Sequence, residues 1–152
     1  MTISVEIETR VGRPAGDVFA GLTALERFPD WLIASGIVRV ERLDGGPLVV
    51  GSRVRIAQTV GGRSTVLDGA VTVLEPDRAL GLRGRDRDGV SIEIEATLAA
   101  DGDHATRLGW TLRIGLPLRF RMFESMVAPQ ARRAAALDLE AFKRRLESGA
   151  GA

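Results

Sequence analysis

The chain has 152 residues, no cysteine and a formal net charge of +1. The absence of cysteine excludes disulfides, thiolate metal sites and cysteine nucleophiles, and the near-zero charge gives no electrostatic basis for nucleic-acid binding. No segment approaches the roughly 20 apolar residues of a membrane-spanning helix, and the N-terminus lacks the features of a signal peptide. We therefore expect a cytoplasmic protein without integral membrane association. It should form one ligand-binding domain over residues 1–147 with a disordered tail over 148–152.

The N-terminal region predicts a strand followed by two short helices. Apolar and polar residues alternate over residues 3–7, as in a half-buried strand. Pro14 then ends the strand and suits the first turn of a helix, where its missing N–H is no loss. Apolar residues recur at helical spacing as far as Leu32, and Pro29 divides them into two short helices.

The middle of the chain predicts six strands. From Ile37 to Ile114 the hydrophobic period is two, and short turns such as Gly61-Gly62 separate the segments. The clearest segment is 90–98, where Val, Ile, Ala and Leu alternate with Ser, Glu and Thr. Because every connection is as short as a hairpin turn, the sheet should be antiparallel.

A long helix is predicted from Pro117 onward, where apolar residues return to steps of three or four. Pro129 should kink this helix or divide it near Val127. Asp138 is expected mostly off the face that meets the sheet.

The inward face of that helix is expected to carry small residues, Ala128, Ala131 and Ala135. A sheet with one polar face must curl its apolar face around the helix, the only element long enough to cover it. Alanines on the helix would leave unfilled space there. The sequence therefore predicts a hydrophobic cavity.

Several segments resemble the SRPBCC superfamily, which includes START domains and polyketide cyclase/dehydrase-like proteins. They are residues 14–22, 25–31, 50–53, 71–80 and 101–108. The resemblance implies an α+β helix-grip fold. In this fold a curved, seven-stranded antiparallel sheet surrounds a long C-terminal helix, and two short helices follow the first strand. It also implies a pocket for a lipid- or polyketide-sized molecule, although fold alone does not define activity.

The titratable residues offer no convincing catalytic or metal site. His104, the only histidine, lies near Asp101 and Asp103 in a predicted turn, but their spacing matches no metal-binding loop. Glu93 and Glu95 alternate with isoleucines, so they should point away from the cavity. No metal or cofactor is therefore expected, and no catalytic residue is assigned.

The residues predicted to bind a ligand are mostly apolar and belong to several elements. Gln58 is in phase with inward residues and could supply an amide, one of the few polar groups that such a pocket needs. Simple core packing is the alternative role for the apolar members. The set is Phe28, Trp31, Val54, Ile56, Gln58, Val71, Ile92, Ile94, Trp110, Leu112, Phe120, Phe123 and Val127.

Two arginines at the start of the terminal helix, Arg119 and Arg121, are candidates for contacting an anionic group of a ligand. Solvent exposure at a helix end is the alternative interpretation. The resemblance implies that related aromatase/cyclases use arginine and tyrosine to bind a polyketide chain. This sequence has no tyrosine.

Three functions remain open from the sequence. The first is non-catalytic binding of a small hydrophobic molecule, such as a lipid, polyketide or isoprenoid. The second is a polyketide cyclase, dehydratase or aromatase, which would need an inward titratable group. The third is a protein-interaction or homodimerisation module that uses apolar residues at the cavity mouth, Leu116, Leu118 and Phe120.

Overall fold

The computed structural model describes residues 2–149. The helical elements are α1 (Ala15–Thr23), a first 3-10 helix (Leu25–Asp30), a second 3-10 helix (Leu118–Phe123) and α2 (Glu124–Glu147). The strands are β1 (Thr2–Val11), β2 (Ile37–Arg42), β3 (Arg53–Val60), β4 (Arg63–Glu75), β5 (Ala79–Arg85), β6 (Ser91–Ala100) and β7 (Thr106–Gly115). Of the tail predicted over 148–152, residues 150–152 lie outside the described part.

The seven strands form one antiparallel sheet in the order β1-β7-β6-β5-β4-β3-β2. Strand β1 closes against β7, so the first strand lies next to the last, and β1 and β2 form the two edges. The register shifts once in β2 and once in β4, between Val71 and Val73. Such irregularities bend a strand and increase its twist. The predicted helix-grip architecture, a curved sheet with a long C-terminal helix, is confirmed.

An aromatic cluster joins the first 3-10 helix to the sheet and to α2. The Trp31 ring lies 5.4 Å from Phe28, 5.6 Å from Trp110 and 4.6 Å from Phe142, measured between ring centroids. Trp31, Phe28 and Phe142 are almost completely buried. This end of the interior is therefore packed solid, and open space must lie elsewhere along α2.

The terminal helix begins differently from the sequence prediction. Residues 118–123 form a 3-10 turn, and α2 then runs without interruption through Pro129. Of the two effects expected of Pro129, a kink or a division near Val127, the division is wrong: the change of helix type falls between Phe123 and Glu124. Proline removes one backbone hydrogen bond, and here that loss does not end the helix. No helix within residues 2–149 is long and apolar enough to cross a membrane.

Candidate functional site

A cavity of about 370 Å³ lies between the concave face of the sheet and the N-terminal half of α2. The segment before β2, the end of β3 and its turn, strands β6 and β7, and α2 form its walls. The lining residues are Leu32, Ile33, Ala34, Ser35, Gly36, Ile37, Gln58, Thr59, Val60, Gly61, Ile92, Ile94, Trp110, Leu112, Ile114, Val127, Gln130, Ala131 and Ala134.

The cavity exists because α2 presents small side chains where it faces strands β6 and β7. Ala131 and Ala134, three residues apart on one helical face, line the cavity. About one to two turns further on, Leu139 and Phe142 are buried and fill the interior. The inward residues of the central strands, such as Ile92, are consequently only half-buried. Of the alanines predicted to leave space, Ala131 lines the cavity, whereas Ala135 is packed in the core.

The cavity opens to solvent between the segment before β2 and the turn after β3. Ile33 and Val60 both line the cavity and are exposed on the outside. Apolar side chains at the rim of an opening are typical of sites that admit an apolar ligand. We call this opening the mouth.

The chemical character of the cavity is apolar and uncharged. Among residues 2–149, no ionisable side chain lines it. Its polar side chains are Ser35, Gln58, Thr59 and Gln130. Few polar groups in an apolar cavity of a few hundred Å³ are typical of small-molecule sites.

Residues 33–36, which we call the 33–36 loop, form one wall and are held from two sides. The Asp138 carboxylate on α2 accepts hydrogen bonds from the backbone N–H of Ala34 at 2.8 Å and of Ser35 at 2.9 Å. On the other side the Gln58 amide donates to the Ser35 carbonyl at 2.9 Å. The loop thus links α2 to β3 across the cavity.

Asp138 is only 2% exposed, so the expectation that it lies mostly off the buried face is wrong. Burial raises the pKa of this carboxyl above its ordinary value, and the hydrogen bonds from Ser35 and Ala34 lower it in partial compensation. The sequence did contain a signal. Asp138 lies four residues after Ala134 and four before Phe142, on the same helical face.

At Gly36 the backbone of the 33–36 loop passes close to the backbone of β3 and completes this wall. Its carbonyl accepts the Thr59 N–H at 2.8 Å, and its φ of +76° is in the left-handed region. A Cβ atom at this position would lie 2.0 Å from the Thr59 carbonyl oxygen. Only glycine fits here.

The structure distributes the predicted ligand-binding residues over two regions. Gln58, Ile92, Ile94, Trp110, Leu112 and Val127 line the cavity. Phe28, Trp31, Val54, Ile56 and Val71 are buried in the core beside it, while Phe120 and Phe123 lie in the second 3-10 helix, away from the lining. The alternation of residues along a strand identifies the face that points inward. It does not show which residues on that face pack against a helix and which border a cavity.

The two arginines predicted to contact an anion also lie outside the lining. Arg119 hydrogen-bonds to the backbone carbonyl of Asp88, and its guanidinium lies 4.8 Å from the Phe120 ring centroid. Arg63, from the start of β4, pairs with the Asp88 carboxylate and lies 5.8 Å from the same ring. Arg121 is exposed in the second 3-10 helix. The second 3-10 helix is thereby tied to the β5–β6 turn.

The other titratable candidates are also away from the cavity. Glu93 pairs with Arg83 at 3.1 Å and Arg113 at 3.2 Å on neighbouring strands, and Glu95 does not line the cavity. His104 is exposed in the β6–β7 turn. Within residues 2–149, no group of three or more histidine, cysteine or acidic side chains is arranged to hold a metal ion.

Residues 2–147 match the family model for polyketide cyclase/dehydrase and lipid transport proteins. Because the match spans nearly the whole chain, the protein belongs to this family, within the SRPBCC superfamily. Family and fold together suggest either hydrophobic ligand binding or polyketide cyclase-type activity. No protein of curated function is similar enough in sequence to match the chain.

Solved structures show the same fold at low sequence identity. The ZhuI aromatase/cyclase from Streptomyces sp. R1128 is 19% identical with a TM-score of 0.79, and the match covers 97% of this chain and 94% of that one. A START superfamily protein from Mycobacterium smegmatis is 18% identical with a TM-score of 0.76, covering 96% of this chain and 98% of that one. At such identities the likeness concerns the fold.

Proposed function

We propose that this protein binds a small hydrophobic molecule, such as a lipid, polyketide or isoprenoid, in the cavity under α2, and that it does so without catalysing a reaction. The observation that carries this proposal is the 370 Å³ apolar space beside the buried hydrophobic core. A ligand there would gain about 25 cal/mol for each Å² of apolar surface removed from water. A cytoplasmic location and possible dimerisation stay predictions from the sequence.

A non-catalytic role is favoured over a cyclase, dehydratase or aromatase by the chemistry of the walls. General acid–base catalysis needs a titratable group within hydrogen-bond reach of the reacting atoms, and the lining contains none in the described chain. Asp138 lies behind the 33–36 loop, and both of its carboxylate oxygens accept hydrogen bonds from backbone N–H groups. We therefore give Asp138 a positioning role.

Native mass spectrometry of the purified protein, followed by solvent extraction, tests this proposal. We expect about one hydrophobic molecule bound per chain. The variant Ala131→Phe should lose this molecule because the new ring occupies the cavity. Ala136→Phe is the matched control, since residue 136 lies on the exposed side of the same helix.

Retention of the ligand by Ala131→Phe, with its fold intact by circular dichroism, would place the ligand elsewhere and contradict the proposal. If instead the extracted compound is a polyketide that emerges cyclised or dehydrated after incubation with the protein, the enzymatic alternative would replace it.

A further inference from the structure

We infer that the cavity selects neutral hydrophobic molecules with a single hydroxyl, carbonyl or similar polar group, and discriminates against the corresponding carboxylates and phosphates. This inference rests on the proposed function and names the chemical class of its ligand. It differs from the expectation that Arg119 and Arg121 contact an anionic group of a ligand.

The first argument is the absence of a counter-ion. None of the lining side chains within residues 2–149 carries a positive charge. Transferring an unpaired carboxylate from water to an apolar site is far more costly than transferring a hydroxyl that finds one hydrogen-bond partner. An acid would therefore have to leave its charge outside or bind in its neutral form.

The second argument is that two cations of neighbouring elements, Arg63 and Arg119, already have partners. Val60, at the mouth, is paired in the β3–β4 hairpin with Arg63, whose guanidinium is engaged by the Asp88 carboxylate. Arg119 donates to the Asp88 carbonyl. An anionic ligand would have to displace these contacts to gain either of these two cations.

The third argument is that the buried ionisable side chains among residues 2–149 are acidic and not basic. Within the described chain, the buried ionisable side chains are Asp86 and Asp138, and both are acidic. Asp86 accepts hydrogen bonds from the N–H groups of Asp88 and Val90. Asp138 stands directly behind the 33–36 loop that forms the wall. Ionised Asp138 would repel an anion on the other side of that wall.

The polar side chains that line the cavity suit one neutral group. Gln58 uses one amide N–H on the Ser35 carbonyl, which leaves a second N–H and the side-chain carbonyl oxygen. Such a side chain can accept from a hydroxyl or donate to a ketone or ester. We expect a hydrogen bond between the polar group of the ligand and the Gln58 amide to orient the ligand.

Decan-1-ol and decanoate, which share one carbon chain, are the matched probes, titrated at pH 8 and followed by tryptophan fluorescence. The alcohol is expected to bind at least tenfold more tightly. Equal or tighter binding of decanoate would overturn this inference alone. Failure of both probes to bind would overturn the proposed function, and the inference with it.

A variant that adds a positive charge to the lining tests whether the absence of a cation causes the selectivity. Gln130 lines the cavity and is also exposed to solvent, so Gln130→Arg should shift the ratio of the two dissociation constants toward decanoate by tenfold or more. Ser125→Arg adds the same charge on the same helix outside the lining and should leave the ratio unchanged. If both variants or neither shift the ratio, local absence of a cation is not the cause and the inference fails.

Discussion

Asp138 and Ser35 are separated by 103 positions in the sequence, yet Asp138 Oδ2 accepts the backbone N–H of Ser35 at 2.9 Å. The second oxygen accepts the N–H of Ala34. One buried side chain on α2 thus holds two consecutive amides of a cavity wall. Ile33 in this wall is exposed, so the wall is held by these hydrogen bonds together with those that link Gln58 to Ser35 and Thr59 to Gly36.

Replacing Asp138 by asparagine should lower the free energy of unfolding by about 1–3 kcal/mol, the usual cost of leaving a buried hydrogen-bond donor without a partner. A carboxamide has one acceptor oxygen, so one of the two amides would lose its partner. Urea denaturation measures the change. Glu140→Gln, exposed on the same helix, should change stability by less than about 0.5 kcal/mol.

The stability contributed by Asp138 should depend on pH in a specific direction. Because burial raises the pKa of Asp138 in the folded state, the folded protein binds this proton at a pH where the unfolded chain has released it. The contribution is therefore fully present below the unfolded pKa, roughly pH 4. It is lost as pH rises through the folded pKa.

Subtracting the unfolding free energy of Asp138→Asn from that of the parent protein isolates this contribution from other titrating groups. We expect the difference to favour the parent protein more strongly toward the acid end of the range from pH 4 to 8. A difference that grows with rising pH would mean that the hydrogen bonds outweigh burial and that the folded pKa is lowered.

Gly36→Ala should be much more destabilising than the same change at Gly61. Both glycines have positive φ, +76° and +59°, so each substitution carries a conformational cost of about 1–2 kcal/mol. At Gly36 the added Cβ would also collide with the Thr59 carbonyl, whereas at Gly61 nothing lies within 4 Å. We expect an additional loss of about 1–3 kcal/mol at Gly36, measured by thermal or urea unfolding. Equal losses would disprove the close approach.

The two tryptophans should report ligand binding unequally. Trp110 lines the cavity, whereas Trp31 is buried behind it with its ring 5.6 Å away. Addition of decan-1-ol to Trp31→Phe should therefore change the emission of the remaining Trp110. The complementary variant Trp110→Phe should show a much weaker response. A response that survives only in Trp110→Phe would place the ligand on the other side of the aromatic cluster.

Local patterns were enough to predict the architecture. Alternation with period two, hairpin-length turns and one long terminal helix led to a seven-stranded antiparallel sheet that curves around the helix, as the structure has it. Gln58, Ile94 and Leu112 were assigned to the inward face because strand periodicity defines the face on which a side chain lies. These features depend on neighbours in sequence, which a single chain displays directly.

The boundary between core and cavity depended on contacts between distant segments. Trp31 and Trp110 looked alike in the sequence, but Phe142 packs against Trp31, and Trp110 borders the cavity. The sequence predicted Asp138 to be a surface charge, but in the structure the 33–36 loop packs against it. Periodicity in the sequence shows on which face of its element a residue lies. The segments that pack against that face, some of them about a hundred residues away, determine whether the residue is buried, lines a cavity or loses its contact with water. Only the tertiary structure shows those segments.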